Sequence, residues 1–163
     1  MLLSLAAAAV LSSAAESAPI ASEQLPALFI SACLDGNATA VSATAIEFSA
    51  LPSALRNRLG QPDKSQVWKL RSSGEAYLYS LSYSERNREP KICGIASEQL
   101  KLQPASAAVE TRVRGTSSGG SYLPVEWLDE RAGFRALATQ SGGFTIMQIN
   151  WLKDNQAEAQ APR

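Results

Sequence analysis

Cys33 and Cys93 are the only cysteines in this chain of 163 residues. They are too far apart for Cys-x-x-Cys redox chemistry, and two thiolates without histidine are too few ligands for zinc. In an oxidising compartment, two cysteines have one intramolecular pairing available. We therefore predict a Cys33–Cys93 disulfide that closes a loop of about 60 residues, which by the chain-entropy relation adds up to about 4 kcal/mol.

Histidine is absent from the whole chain, which removes Ser-His and Cys-His nucleophile pairs and the commonest metal ligand. Residues 115–119 match the Gly-x-Ser-x-Gly pattern around Ser117. That motif needs a sharp strand-to-helix turn and a histidine partner, so we interpret the segment as a Ser/Gly loop. No serine lies three residues before any lysine, which excludes a Ser-x-x-Lys site.

Carboxylates are the remaining acid/base groups, and Glu126, Asp129 and Glu130 lie on either side of Trp127. A pair of carboxyl groups beside an aromatic ring is the arrangement that a glycosidase cleft needs. The alternative is structural: acidic residues after Pro124 suit the first turn of a short helix, where they interact favourably with the helix dipole.

A stripe of tyrosines marks one predicted strand. Tyr77, Tyr79 and Tyr83 share a face with Leu81, whereas small residues occupy the other face. An exposed row of tyrosines would form a binding face for a ligand or partner, because tyrosine combines a large contact area with a polar group. The alternative is that the tyrosines pack in the core, since a sheet must bury one face.

Residues 1–18 have the apolar run and the small residues of a secretory signal, although no lysine or arginine precedes Arg56. We predict a signal peptide over 1–18, a single globular domain over 19–152 and a disordered polar tail over 153–163. The apolar run is about half the length that a bilayer requires. We therefore expect a secreted or periplasmic protein with no membrane span after signal removal.

The 15 basic and 15 acidic residues give no net charge and form no blocks along the chain. A nucleic-acid-binding surface needs a basic stripe, so we predict no nucleic-acid partner. No cofactor or metal motif is present, and we predict neither a cofactor nor a metal site.

The order of predicted elements indicates an α+β fold with an antiparallel sheet of five or six strands. A helix runs from Pro26 to Gly36, and a second short helix runs from Pro52 to Gly60. Residues 100–114 fit either a helix or a strand, and we choose a crossing helix that begins near Pro104. The predicted strands are residues 44–48, the three-stranded meander 66–71, 76–83 and 91–97, and the C-terminal hairpin 134–139 and 144–151, with 116–121 as a loop.

The disulfide also predicts how the N-terminal helix packs. Phe29 lies one turn from Cys33 on the same helical stripe, so the bridge should bring Phe29 to the third strand of the meander. We expect Phe29 to pack against the bulky tyrosine side of the neighbouring strand. The predicted contact cluster contains Phe29, Trp68, Leu70, Tyr77, Tyr79 and Leu81.

These observations favour an exported, non-enzymatic protein that binds a partner protein or a small ligand in the cell envelope or outside the cell. The alternative function is a small hydrolase of envelope polysaccharide that uses Glu126, Asp129 and Glu130. An enzyme should show two carboxyl groups converging in a cleft, and a binding protein should show a recognition surface without them.

Overall fold

The computed structural model describes residues 18–36, 42–84, 87–113, 125–129 and 131–153, and the backbone of 116–118. Within these ranges, eight strands form one sheet in the order β1-β2-β3-β4-β8-β7-β6-β5, and every neighbouring pair is antiparallel. The strands are β1 Ala43–Ile46, β2 Lys64–Leu70, β3 Ala76–Ser82, β4 Lys91–Ser97, β5 Thr116–Ser118, β6 Val125–Asp129, β7 Phe134–Ser141 and β8 Phe144–Trp151.

In the described ranges, three α-helices accompany the sheet. Helix α1, Leu25–Phe29, carries a proline in its first turn and continues as one π-helical turn, Ile30–Leu34. Helix α2, Ser53–Leu59, ends at Gly60, whose positive φ of 74° closes it. Helix α3, Leu102–Arg112, connects β4 to β5, and short 3₁₀ turns lie at Ser22–Gln24 and Phe48–Ala50.

The chain builds the sheet in two comparable halves. Helix α1 precedes the meander β1 to β4, and helix α3 precedes the meander β5 to β8. The last strands of the two meanders, β4 and β8, pair antiparallel at the centre of the sheet, for example Gly94 opposite Gln148. Helix α2 is inserted between β1 and β2 of the first half.

The structure confirms the α+β class, the three-stranded antiparallel meander, the crossing helix and the C-terminal hairpin. Residues 100–114 contain helix α3, so the helical alternative is the correct one. The hairpin turn consists of Gly142 and Gly143, both at positive φ (55° and 86°), as a tight two-residue turn between twisted strands requires. A Cβ on Gly142 would also collide with Ala54 of α2.

Two expectations about the second half are wrong. Thr116–Ser118 is strand β5 within the predicted loop, and Val125–Asp129 is strand β6 in place of the predicted short helix. The sheet therefore has eight strands, more than the expected five or six. Pairing with β7 explains β6, because Glu126 to Asp129 lie opposite Leu137 to Phe134 and satisfy their backbone groups in the ladder.

The disulfide ties the N-terminal helix to β4: Cys33 and Cys93 are bridged, with their Cα atoms 5.5 Å apart. Cys93 lies directly opposite Ser80 in β3, so their side chains share a sheet face, and Tyr79 points to the other face. We call the face that carries Cys93 the helical face, because α1 and α3 pack on it, and the opposite one the tyrosine face.

The predicted packing of Phe29 against the tyrosines is therefore wrong. Phe29 is completely buried on the helical face, in a cluster that includes Trp68 and Leu70. Tyr77, Tyr79 and Leu81 belong to a separate cluster under α2. The small side chains of β3 do not prevent the helical face from forming a core, because α1 and α3 supply the missing bulk with Leu25, Phe29 and Val109.

No helix in the described ranges is both long and apolar enough to cross a bilayer. The predicted signal peptide lies outside the described residues except for Ala18, and the predicted tail lies outside them except for Lys153.

Candidate functional site

The centre of the tyrosine face carries a chain of buried polar groups that begins at Tyr79. The register places Tyr79 opposite Gly94, and Gly94 opposite Gln148, in one row across β3, β4 and β8. Because Gly94 has no side chain, the tyrosine ring crosses β4, and its hydroxyl donates to Gln148 Oε1 at 2.8 Å. A Cβ at residue 94 would lie 2.5 Å from the Tyr79 hydroxyl oxygen.

The chain continues along β8 to the loop between β3 and β4. Gln148 Nε2 donates to Asn150 Oδ1 at 2.6 Å, and Asn150 Nδ2 donates to Glu89 Oε2 at 2.6 Å. Gln148 and Asn150 are nearly inaccessible, at 5% and 3% exposure. Burying two amides is costly unless they are hydrogen-bonded, and each amide here is bonded on both sides.

Arg135 of β7 holds the same carboxylate. Its Nη2 lies 2.7 and 2.9 Å from the two oxygens of Glu89, and its Nη1 lies 3.3 Å from Glu126 Oε1. Within the described part of the chain, Arg135 Nε is buried without a hydrogen-bond partner. Glu89 thus clamps the β3–β4 loop onto the sheet, and Arg135 has two carboxylate partners.

A cavity of about 300 Å³ opens above this network, between the end of α2 and the β3–β4 loop. We call it the polar cleft. Tyr83 closes one side by donating its hydroxyl to the carbonyl of Leu59 at 2.5 Å. The polar cleft is lined by Arg58, Leu59, Tyr83, Asn87, Glu89, Ile92, Arg135, Leu137, Gln148 and Asn150.

Burial keeps the phenols of this face protonated. It raises the pKa of Tyr79 far above the ordinary 10, an effect that the nearby Arg58 guanidinium only partly opposes. Burial also raises the pKa of Tyr83 to about 12. Both hydroxyls are therefore neutral hydrogen-bond donors at physiological pH.

The tyrosines named from the sequence lie mostly beneath α2. Tyr79 has no exposed surface and Tyr77 is buried, with its ring centroid 6.1 Å from that of Phe144. Tyr83 is half-buried and contacts the polar cleft. These three residues therefore form no exposed platform: Tyr77 and Tyr79 lie in the core, and Tyr83 lines a cavity.

The two candidate catalytic carboxylates that the structure describes, Glu126 and Asp129, are not assembled around a cleft. Glu126 and Asp129 are three positions apart on strand β6, so they point to opposite faces of the sheet. Glu126 pairs with Arg135, and Asp129 accepts a hydrogen bond from the backbone N–H of Ala132 at 2.9 Å. Glu130 lies outside the described residues. Ser117 lies in strand β5, paired with Trp127, where no nucleophile turn is formed.

Sequence reasoning missed the residues that build the polar cleft: Arg58, Glu89, Arg135, Gln148 and Asn150. One signal was available in β8, where Gln148 and Asn150 place two amides on the same face of a largely apolar strand. Buried amides in the middle of a strand usually have specific partners. The partners themselves depend on the register of five strands and one loop, which a single sequence does not give.

A larger cavity of about 750 Å³ lies at the end of β3, β4 and β8 and is lined by residues such as Ser82, Lys91 and Trp151. None of its lining side chains is both polar and buried. It lacks the fixed polar groups that orient a ligand.

Among the described residues, no three His, Cys, Asp or Glu side chains converge as metal ligands. The chain matches no protein-family model, no curated protein and no solved structure.

Proposed function

We propose that this chain is an exported, non-enzymatic protein that binds a small polar molecule in the polar cleft. The observation that carries the proposal is the network from Tyr79 through Gln148 and Asn150 to Glu89, which fixes several polar groups beneath an open cavity. Ligand sites characteristically combine a concave apolar lining with a few positioned polar groups. Leu59, Ile92 and Leu137 supply the apolar part here.

The absence of histidine and the state of the carboxylates favour binding over catalysis. Glu89 and Glu126 both form ion pairs with the Arg135 guanidinium, so neither carboxylate is free to face a substrate. A glycosidase needs two carboxyl groups that flank the scissile bond, one as the acid and one as the base or nucleophile. The polar cleft therefore fits recognition better than acid/base hydrolysis.

Export is supported by the predicted signal over residues 1–18 together with the disulfide, since disulfides persist mainly in oxidising compartments. Intact-mass measurement of the protein recovered from the periplasm or medium tests this part. We expect loss of the leader and the mass of a protein with no free thiol. Recovery of full-length, reduced protein from the cytoplasm would contradict it.

Binding in the polar cleft is tested by nuclear magnetic resonance with a panel of sugars, polyols, amino acids, short carboxylates and amides. We expect some of them to shift the side-chain amide signals of Gln148 and Asn150. Asn87→Trp should block the rim of the polar cleft and remove these shifts, whereas Asn57→Trp on the exposed side of α2 should retain them. Cleft binding would be refuted if no compound of the panel shifted these amide signals. It would also be refuted if the shifts in Asn87→Trp equalled those in the wild type.

A further inference from the structure

The hydrogen-bonding groups that line the polar cleft are unequally used. Its side-chain carbonyl and carboxylate oxygens all accept bonds: Gln148 Oε1 from Tyr79, Asn150 Oδ1 from Gln148, Asn87 Oδ1 from the backbone of Glu89, and Glu89 from Asn150 and Arg135. These acceptors are therefore already engaged before any ligand enters.

The donors are only partly used. Each side-chain amide nitrogen carries two N–H groups. Gln148 and Asn150 each use one of them, and within the described part of the chain the second has no acceptor. The amide nitrogen of Asn87 has no acceptor there either. An incoming molecule therefore meets unpaired donors and is best matched by hydrogen-bond acceptors.

The two arginine side chains of the polar cleft are also unequally paired. Arg135 forms ion pairs with Glu89 and Glu126, whereas the Arg58 side chain forms no hydrogen bond or ion pair with any residue that the structure describes. Arg58 lines the same cavity from the last turn of α2. The Leu59 carbonyl beside it accepts a hydrogen bond from the Tyr83 hydroxyl. It therefore presents no free acceptor that would repel an anion. Among the described residues that line the polar cleft, Arg58 therefore carries the positive charge that has no ion pair.

We infer that the ligand of the polar cleft is a small organic monocarboxylate, received by the Arg58 guanidinium and by the free amide donors of Gln148 and Asn150. The inference rests on the proposed binding function. A guanidinium matches the planar carboxylate, and a single negative charge balances Arg58. A dianion such as phosphate would bring a second charge towards Glu89. The cavity of about 300 Å³ and its aliphatic wall of Leu59, Ile92 and Leu137 suit a short carbon chain.

The test compares butyrate with butyramide, its neutral analogue of the same shape, by titration of the side-chain amide signals of Gln148 and Asn150. We expect butyrate to shift both signals, and butyramide to bind at least about tenfold more weakly, the loss typical of a charged hydrogen bond. Arg58→Gln should weaken the binding of butyrate by a similar factor. Lys64→Gln removes the same charge at the start of β2, outside the polar cleft, and should bind butyrate normally.

The remaining outcomes separate the two proposals. Equal binding of butyrate and butyramide, unchanged binding in Arg58→Gln, or tighter binding of inorganic phosphate would overturn the monocarboxylate inference and leave cleft binding standing. If neither these compounds nor any member of the wider panel moves a cleft signal, both proposals fail. Added salt should weaken the binding of butyrate, because Arg58 is exposed to solvent and its charge is screened.

Discussion

On the helical face, Leu78, Ile95 and Met147 meet Phe29 and Val109 from α1 and α3 in an apolar core, and the disulfide covalently fixes one of the covering helices. On the tyrosine face, α2 covers only part of the sheet, and the uncovered part carries the chain of polar groups from Tyr79 to Glu89. The first arrangement maximises apolar burial, and the second leaves a cavity above hydrogen-bonded amides.

This difference suggests a division of roles between the two faces. Apolar burial is the main source of folding free energy, whereas buried polar networks contribute little net stability. We therefore expect substitutions on the helical face to affect mainly stability. Substitutions around the polar cleft should affect binding more than folding, provided that they do not leave a buried group unpaired.

The largest effect is expected for Phe29→Ala. Phe29 has no exposed surface, and truncating a buried phenylalanine removes its transfer free energy and leaves a cavity, so the free energy of unfolding should fall by about 3 to 5 kcal/mol. Leu128→Ala is the control, because Leu128 is 42% exposed on β6. Urea unfolding measures both, and similar midpoints for the two variants would show that the helical face is not the main core.

Gly94→Ala should affect the other face. The added Cβ would lie 2.5 Å from the Tyr79 hydroxyl oxygen and 2.8 Å from the Met147 carbonyl oxygen, so the tyrosine must move away from Gln148. We expect a loss of about 1 to 3 kcal/mol, as for other overpacked sites. A shifted Gln148 side-chain amide signal should accompany the loss. Wild-type stability together with an unchanged signal would contradict the placement of Tyr79 across β4.

Alkaline pH should weaken the tyrosine face selectively. The folded-state pKa of Tyr79 is raised above the unfolded value of 10, so above pH 10 the unfolded chain releases a proton that the native protein keeps. Stability is therefore complete below pH 10 and is lost as the pH rises, by about 1.4 kcal/mol per pH unit for a fully buried phenol. Urea unfolding at about pH 8 and about pH 11 measures the loss. The free energy of unfolding of Tyr79→Phe should fall less between the two pH values than that of the wild type. An equal fall in both proteins would refute the assignment of the pH effect to Tyr79.

The sequence predicted those elements whose signals are local. Alternation marked β3, and Pro52 with Gly60 marked α2. Strand β5 was missed because a three-residue strand among serines and glycines has no periodicity of its own and depends on pairing with its neighbour. Strand β6 was missed because acidic residues after Pro124 also suit the first turn of a helix.

The disulfide could be predicted by elimination, but the face that it covers could not. Alternation shows that Tyr77 and Tyr79 share a face without showing which face meets α1, and that depends on the placement of Cys93 opposite Ser80. The candidate site could be predicted even less. Its residues come from α2, a loop and several strands, and they meet only when β4 pairs with β8.

The division of roles is tested most directly by the free energy of unfolding of Tyr79→Phe/Gln148→Leu/Asn150→Leu, compared with Gln148→Leu alone. The single variant leaves the Tyr79 hydroxyl and Asn150 Oδ1 without partners and should lose about 1 to 3 kcal/mol. The triple variant removes all three members of the buried polar chain at once. Its free energy of unfolding should lie within about 1 kcal/mol of the wild-type value, because replacing a buried polar network by apolar groups is often neutral. A triple variant that is much less stable than the single variant would show that the network is a folding element, contrary to this account.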